Sequence, residues 1–220
     1  VSQFSDSWAA LRAAVAGLEP QDFDLPSGCA GWLVRDLLCH LIIDAQDVLI
    51  TLVTPAGADA EPTRNALTYW AVSGSPPDGA DPLAALTVRL AAAYEDPDLL
   101  KFHLDDVGSA AGRAADLVDP VLRVVTQEQV LTAGDYLDAY VLEWTLHHLD
   151  LVAHLPATAG PPAAGLARSR AMLGEITRFR FPAEFSDSDV LRVGTGRRAP
   201  TDTERTALGA TAAQLPFVLG

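Results

Sequence analysis

The sequence predicts an all-α helical bundle with minor β decoration, and three observations lead there. Apolar residues recur at intervals of three and four along most of the chain, as they do on one face of a helix. Alanine, the residue that loses least on entering a helix, is abundant within an apolar share of 49%. Clusters of Pro, Gly and Asp separate the periodic stretches. At 220 residues the chain is long enough for one sizeable core.

Taken in order, Phe4, Trp8, Leu11, Val15 and Leu18 predict an amphipathic first helix over 3–18. Pro20, Pro26, Gly28 and Gly31 make 19–31 a loop. A long second helix spans 33–53 and stops before Pro55. Residues 55–64 and 74–82, rich in Pro, Gly and Asp, bracket a short element at 65–72. Asp81-Pro82 suits an N-cap followed by proline at the first helical position, opening a helix to about residue 94. Asp96-Pro97 interrupts it, and another helix covers 97–118. Residues 121–130 are β-branched without a helical stripe and read as a short strand or extended connector. Thr132, with Asp135 three residues on, caps a helix to about His154 that Pro156, Pro161 and Pro162 end. A further helix covers 163–179. From Arg180 the character changes to a short strand at 189–193, a turn at Gly194-Thr195-Gly196 and a capped helix from Thr201. The expected division is a bundle over 1–179 and a C-terminal appendage over 180–220, too short to be an independent domain.

Charge narrows the function classes. Asp and Glu number 29 against 15 Lys and Arg, a net charge of −14, and there is no basic stripe to neutralise nucleic-acid phosphates or an anionic membrane surface. No apolar run reaches the roughly 18–20 residues of a membrane helix, and the first residues show no export signal. Two cysteines, Cys29 and Cys39, do not make a disulfide framework. A soluble cytoplasmic protein, monomer or homodimer, is expected.

Histidine carries the chemical signal. There are five, and His147, His148 and His154 fall on the helix predicted from Thr132. Glu143 and His147 are four apart, on one helix face roughly 6 Å from each other. Tyr136 and Tyr140 extend that stripe backwards, and Asp150 and His154 extend it forwards. A carboxylate and an imidazole so placed can share one divalent cation, with a third ligand from a facing helix. His40, in the apolar run Leu37-Leu38-Cys39-His40-Leu41-Ile42-Ile43, is the candidate, since an unpartnered imidazole there is costly. Two histidines, one glutamate and an open fourth position describe a catalytic zinc-type site. The spacing equally fits a solvated Glu143–His147 pair, and His40 shares its stripe with Asp36, Asp44 and Asp47, so a plain ion pair also fits. His148 points about 100° away from His147 and reads as a core or supporting histidine.

Two passages resemble the mycothiol-dependent maleylpyruvate isomerase family, of the DinB-like superfamily of four-helix-bundle metalloproteins. One is Gly31-Trp32-Leu33-Val34-Arg35-Asp36-Leu37-Leu38-Cys39-His40-Leu41. The other is Leu131-Thr132-Ala133-Gly134-Asp135-Tyr136-Leu137 followed by Glu143-Trp144-Thr145-Leu146-His147-His148-Leu149-Asp150-Leu151. The resemblance covers about residues 4–156 and implies a DinB-like four-helix bundle. It also implies that His40, Glu143 and His147 hold a divalent metal and that mycothiol is the thiol cofactor. In the family's isomerisation the thiolate adds to a conjugated double bond, the resulting single bond rotates, and elimination gives the other geometric isomer; other superfamily members transfer the thiol to an electrophile. The family's isomerases carry a full C-terminal domain where this chain has only its appendage, so thiol transfer stands beside isomerisation.

Further expectations attach to single residues. Asp44 and Asp150 would each accept the free ring N–H of His40 and His147 and fix the tautomer. Tyr136 and Tyr140 would line a cofactor cavity, or simply serve as core. Trp32 would pack on the start of the second helix, and Cys39 would be a small buried side chain. Arg180, Arg197 and Arg198 would be surface charges or bind a substrate carboxylate. The enzyme competes with a non-catalytic metal- or ligand-binding bundle, and with a metal-free bundle whose polar stripe is a dimer contact.

Overall fold

The computed structural model describes residues 2–57, 59–73 and 82–219. Eight α-helices and four short strands make up its regular structure: α1 (Gln3–Ala16), α2 (Val34–Leu52), β1 (Val72–Ser73), α3 (Pro82–Ala92), α4 (Pro97–Leu117), β2 (Arg123–Thr126), β3 (Gln129–Thr132), α5 (Ala133–Leu151), α6 (Ala163–Thr177), α7 (Asp187–Gly194), α8 (Asp202–Leu208) and β4 (Val218–Leu219). The fold is all-α with two small antiparallel sheets, β1 with β4 and β2 with β3. Among the described residues no helix is long and apolar enough to cross a membrane.

Local chemistry fixes the helix starts. Ser2 Oγ accepts the Ser5 N–H ahead of α1, and Asp96 accepts the Asp98 N–H with Pro97 at the first position of α4. Leu33 has no capping atom, so the Asp36 carboxylate reaches back to its N–H at 2.9 Å to start α2. Thr132 Oγ1 accepts the Asp135 N–H at 3.0 Å and begins α5. Asp81, the expected cap of α3, lies outside the described residues.

Helices α1, α4, α2 and α5 pack in that order around a four-helix bundle. Its core runs from Phe4, Trp8 and Leu11 through Leu37, Leu38 and Leu41 to Tyr140, Val141 and Trp144. Trp8 and Trp144 lie ring to ring at 3.8 Å, and the Trp8 indole N–H donates to the Gly108 carbonyl at 2.7 Å. The outer face of α5 carries a second core, in which Leu142, Leu146 and Leu149 meet Met172 and Leu173 of α6 and Val190, Leu191 and Val193 of α7. Residues 180–219 thus share an apolar core with α5, and β4 closes against β1, with Val72 opposite Leu219.

Several boundaries depart from expectation. Residues 189–193, expected as a strand, lie within α7, because Ser186 accepts the Asp189 N–H and the helix turns Val190, Leu191 and Val193 together into the second core. A strand would send Val190 and Leu191 to opposite faces, yet each has no exposed surface. The 121–130 segment holds β2, the turn and the first half of β3 of a hairpin, with Gln127 and Glu128 at positive φ, the conformation of a two-residue hairpin loop. The 65–72 element is an Asn65-centred turn, with Asn65 Oδ1 accepting the N–H groups of Leu67 and Thr68, before Val72 joins β1. Helix α5 ends at Leu151 and tightens into a single 3₁₀ turn over Val152–His154.

Candidate metal centre

Helices α2 and α5 are neighbours in the bundle and bring together residues a hundred positions apart. His40 sits in the middle of α2, and Glu143 and His147 occupy successive turns of α5. The Nε2 atoms of His40 and His147 are 3.1 Å apart. Glu143 Oε1 is 2.9 Å from His147 Nε2 and 3.7 Å from His40 Nε2. Asp44 Oδ2, one turn beyond His40, is 3.3 Å from His40 Nε2. All four donor atoms lie within 4.8 Å of one another.

These separations test the fit of an ion. Donors about 2.0–2.1 Å from one tetrahedral cation stand about 3.3 Å from each other, the spacing found here, and imidazole nitrogen with carboxylate oxygen is the donor set of zinc and similar divalent ions. The residues fit. The role expected for Asp44 changes with this geometry. Its carboxylate addresses Nε2, the nitrogen that faces the cluster, so it stands among the donors and not behind His40.

Asp150 does stand behind its histidine. Its Oδ2 is 3.1 Å from His147 Nδ1, and a carboxylate there can only accept, so Nδ1 carries the proton. Cys29, in a loop with no spacing to mark it, adjoins the same pair, with Sγ 3.3 Å from Asp150 Oδ2 and 3.7 Å from His147 Nδ1. Arg197 closes the array from the appendage, its Nε and Nη2 each 2.8 Å from one oxygen of Asp150. The expectation of a surface charge fails for Arg197. It fits Arg180, which is exposed, while Arg198 pairs with Asp189 and Glu204 inside the appendage. Cys29, His147 and Asp150 also converge as a possible ligand group, but the guanidinium already occupies both carboxylate oxygens where a second cation would compete.

The electrostatics follow from burial and pairing. Burial raises the Glu143 carboxyl's pKa, but the charge and hydrogen bond of His147, with His40 adding to them, overcome this and hold it well below the carboxylate range. Burial works against the His147 imidazolium, and Glu143, Asp150 and Cys29 together push its pKa well above the ordinary value. Burial likewise opposes ionisation of Asp150, while His147 and Arg197 bring it down to about 2. Asp44, buried and close to Glu143, rises to about 6 despite the nearby histidines.

Neighbours set the frame. The Trp32 ring meets His40 edge-on at 5.3 Å. Tyr140 lies one turn before Glu143, in an aromatic column with the half-buried Tyr69 and Trp70 and the buried Tyr136; burial raises its hydroxyl's pKa, and Asp44 adds to the rise. Tyr136 is fully buried. Cys39, one residue before His40 and about 100° around α2, is buried. His148 is a core histidine whose Nε2 faces the Ala159 carbonyl at 2.9 Å. His154 is exposed, and His103 pairs with the Tyr94 hydroxyl, so neither joins the cluster. A cavity of about 550 Å³ lined by Phe4, Asp116 and Leu137 lies away from these residues, between α1, α4 and α5.

Among known proteins, residues 4–152 match the family model described as the mycothiol maleylpyruvate isomerase N-terminal domain. No curated protein and no solved structure matches the chain. The match spans α1 through the end of α5, the whole four-helix bundle and every donor of the cluster. The chain belongs to this family.

Proposed function

We propose that this family member holds one divalent cation, zinc by the nature of its donors, on His40, Glu143 and His147. We further propose that it uses the cation to activate mycothiol toward a small electrophile, by thiol transfer or by cis–trans isomerisation of a conjugated double bond. One observation carries the reading: two nitrogens and two carboxylate oxygens from facing helices converge within 4.8 Å. When bound, the cation supplies Lewis acidity that favours a thiol's thiolate form near neutral pH. The chain's own residues prepare for that. Asp150 holds the proton on His147 Nδ1, which points Nε2 into the cluster. Trp32 braces the His40 ring. Asp44, with Oδ2 3.3 Å from His40 Nε2, would border the fourth position, which the thiol needs open. The His40 side chain keeps 25% of its surface open, more than Glu143 or His147, so thiol and substrate approach from that side. Tyr140, beside Asp44, is the better placed of the two tyrosines to border the thiol, and Tyr136 supports it from within the core. A cytoplasmic setting, where small thiols stay reduced, suits this chemistry.

Elemental analysis and activity together test the reading. The purified protein is expected to carry about one equivalent of a divalent ion, and His40→Ala and His147→Ala to lose it. Metal-loaded protein is expected to accelerate conjugation of mycothiol with model electrophiles, or isomerisation of a cis-enone acid, above the solution rate. No bound metal in any preparation refutes the site. Metal without acceleration of either reaction leaves a binding protein and refutes the enzyme.

A further inference from the structure

Among the described residues Arg197 is the appendage residue that grips Asp150 behind the candidate metal centre, and the appendage is built to deliver it. The turn after α7 carries it, with Gly196 at φ +79, where a side chain would be strained and a Cβ would stand 2.8 Å from Pro216. The turn is pinned on three sides. The Arg198 N–H donates to the Arg192 carbonyl at 3.1 Å, the Phe217 N–H to the Gly194 carbonyl at 2.7 Å, and the Arg198 guanidinium spans Asp189 and Glu204. From that base Arg197 rests Nη1 on Thr195 Oγ1 at 3.0 Å and grips both oxygens of Asp150.

Asp150 has 1% of its side chain exposed, so its charge is costly unless both oxygens are satisfied. The two-pronged contact does more than neutralise it. Two parallel N–H donors fix the plane of the carboxylate, and that plane decides where Oδ2 points. Oδ2 is the atom 3.1 Å from His147 Nδ1. Without the guanidinium, the carboxylate is free to rotate or to take up a proton, and His147 loses what sets its tautomer and ring angle.

We infer that Arg197 is a positioning residue of the metal centre, acting through Asp150 on His147, so that the C-terminal appendage sets the metal affinity of the bundle. The inference rests on the metal site proposed above. By linkage the coupling runs both ways, and metal binding tightens the docking of the appendage.

Titration of the metal-free full-length chain with Zn²⁺ against a chromophoric chelator tests it. Arg197→Met is expected to weaken Zn²⁺ binding about 10–100-fold, the usual cost of losing a partner behind a metal-bound histidine. Arg205→Ala removes an appendage charge that pairs with Asp202 at α8, away from this turn, and is expected to leave the affinity unchanged. In an Asp150→Asn background, Arg197→Met is expected to add no further loss, because its route to His147 is already cut. Should Arg197→Met not fold, Arg197→Lys keeps the charge without the fork and is expected to show a smaller loss. Unchanged affinity in Arg197→Met or Arg197→Lys overturns the inference, as does an equal loss for Arg205→Ala or an undiminished loss in the Asp150→Asn background. If the wild-type chain binds no Zn²⁺, or His147→Ala binds it as tightly, the metal site itself fails, a result distinct from all of these.

Discussion

A single methyl group at Gly28 is expected to damage both the fold and the candidate metal centre. A Cβ built there stands 2.6 Å from Asp150 Oδ1 and 2.8 Å from Asp150 Cα. Carbon atoms rest about 3.5 Å apart, so the loop and the end of α5 must separate by roughly 0.7 Å. They are tied at that point by the Gly28 N–H donating to the Asp150 carbonyl at 2.8 Å. Separation weakens that bond, worth about 1 kcal/mol, and adds an overpacking cost of about 1–3 kcal/mol. Gly28→Ala is therefore expected to lose about 2–4 kcal/mol, which for a chain of this size lowers Tm by about 5–15 °C. Because the displaced residue is Asp150, Zn²⁺ affinity is expected to fall about 10-fold or more. Gly31 supplies the contrast. It sits at φ +80 with no atom within 4 Å of its would-be Cβ, so Gly31→Ala costs backbone strain of about 1–2 kcal/mol and leaves Zn²⁺ affinity alone. Thermal melting and chelator-competition titration of both variants decide the matter. A Gly28→Ala protein with wild-type Tm and wild-type Zn²⁺ affinity would show that the approach of loop to helix is not tight and refute this reasoning.

Three other predictions follow from separate features. Gly108→Ala puts a Cβ 2.6 Å from Trp8 Cζ2 in the middle of α4, so it is expected to lower stability by about 1–3 kcal/mol despite alanine's better helix propensity; a raised Tm contradicts this packing. His148 is buried with its pKa depressed, mainly by that burial, so the unfolded chain binds its proton first as pH falls below about 6.5. Stability is then lost with falling pH at up to about 1.4 kcal/mol per unit from this group, and denaturant melts of His148→Leu should show a shallower slope in that window. Zn²⁺ at one hundred times its dissociation constant is expected to add about 2.7 kcal/mol of stability, a Tm rise of several degrees that EDTA reverses and His147→Ala lacks.

The sequence by itself determined the helices that build the bundle and three of the four converging donors. Those features are local: a period of three to four, a cap at Thr132, and the i, i+4 spacing of Glu143 and His147 depend only on neighbours along the chain. The family's two motifs lie on the two helices that carry the donors, so His40 was legible as well. Tertiary structure decided the rest. Residues 189–193 are β-branched enough to read as a strand, and only the second core on α5 makes a helix the better way to bury them together. Asp44 reads as a support behind His40 until α5 places Glu143 and His147 on the same side of His40. Cys29 and Arg197 sit in loops with no period to mark them, and they reach Asp150 from 121 and 47 residues away. No spacing rule spans such distances. A contact between loop and helix is set by how separate elements dock, and the physical need of a buried carboxylate for paired donors becomes visible only once docking has buried it.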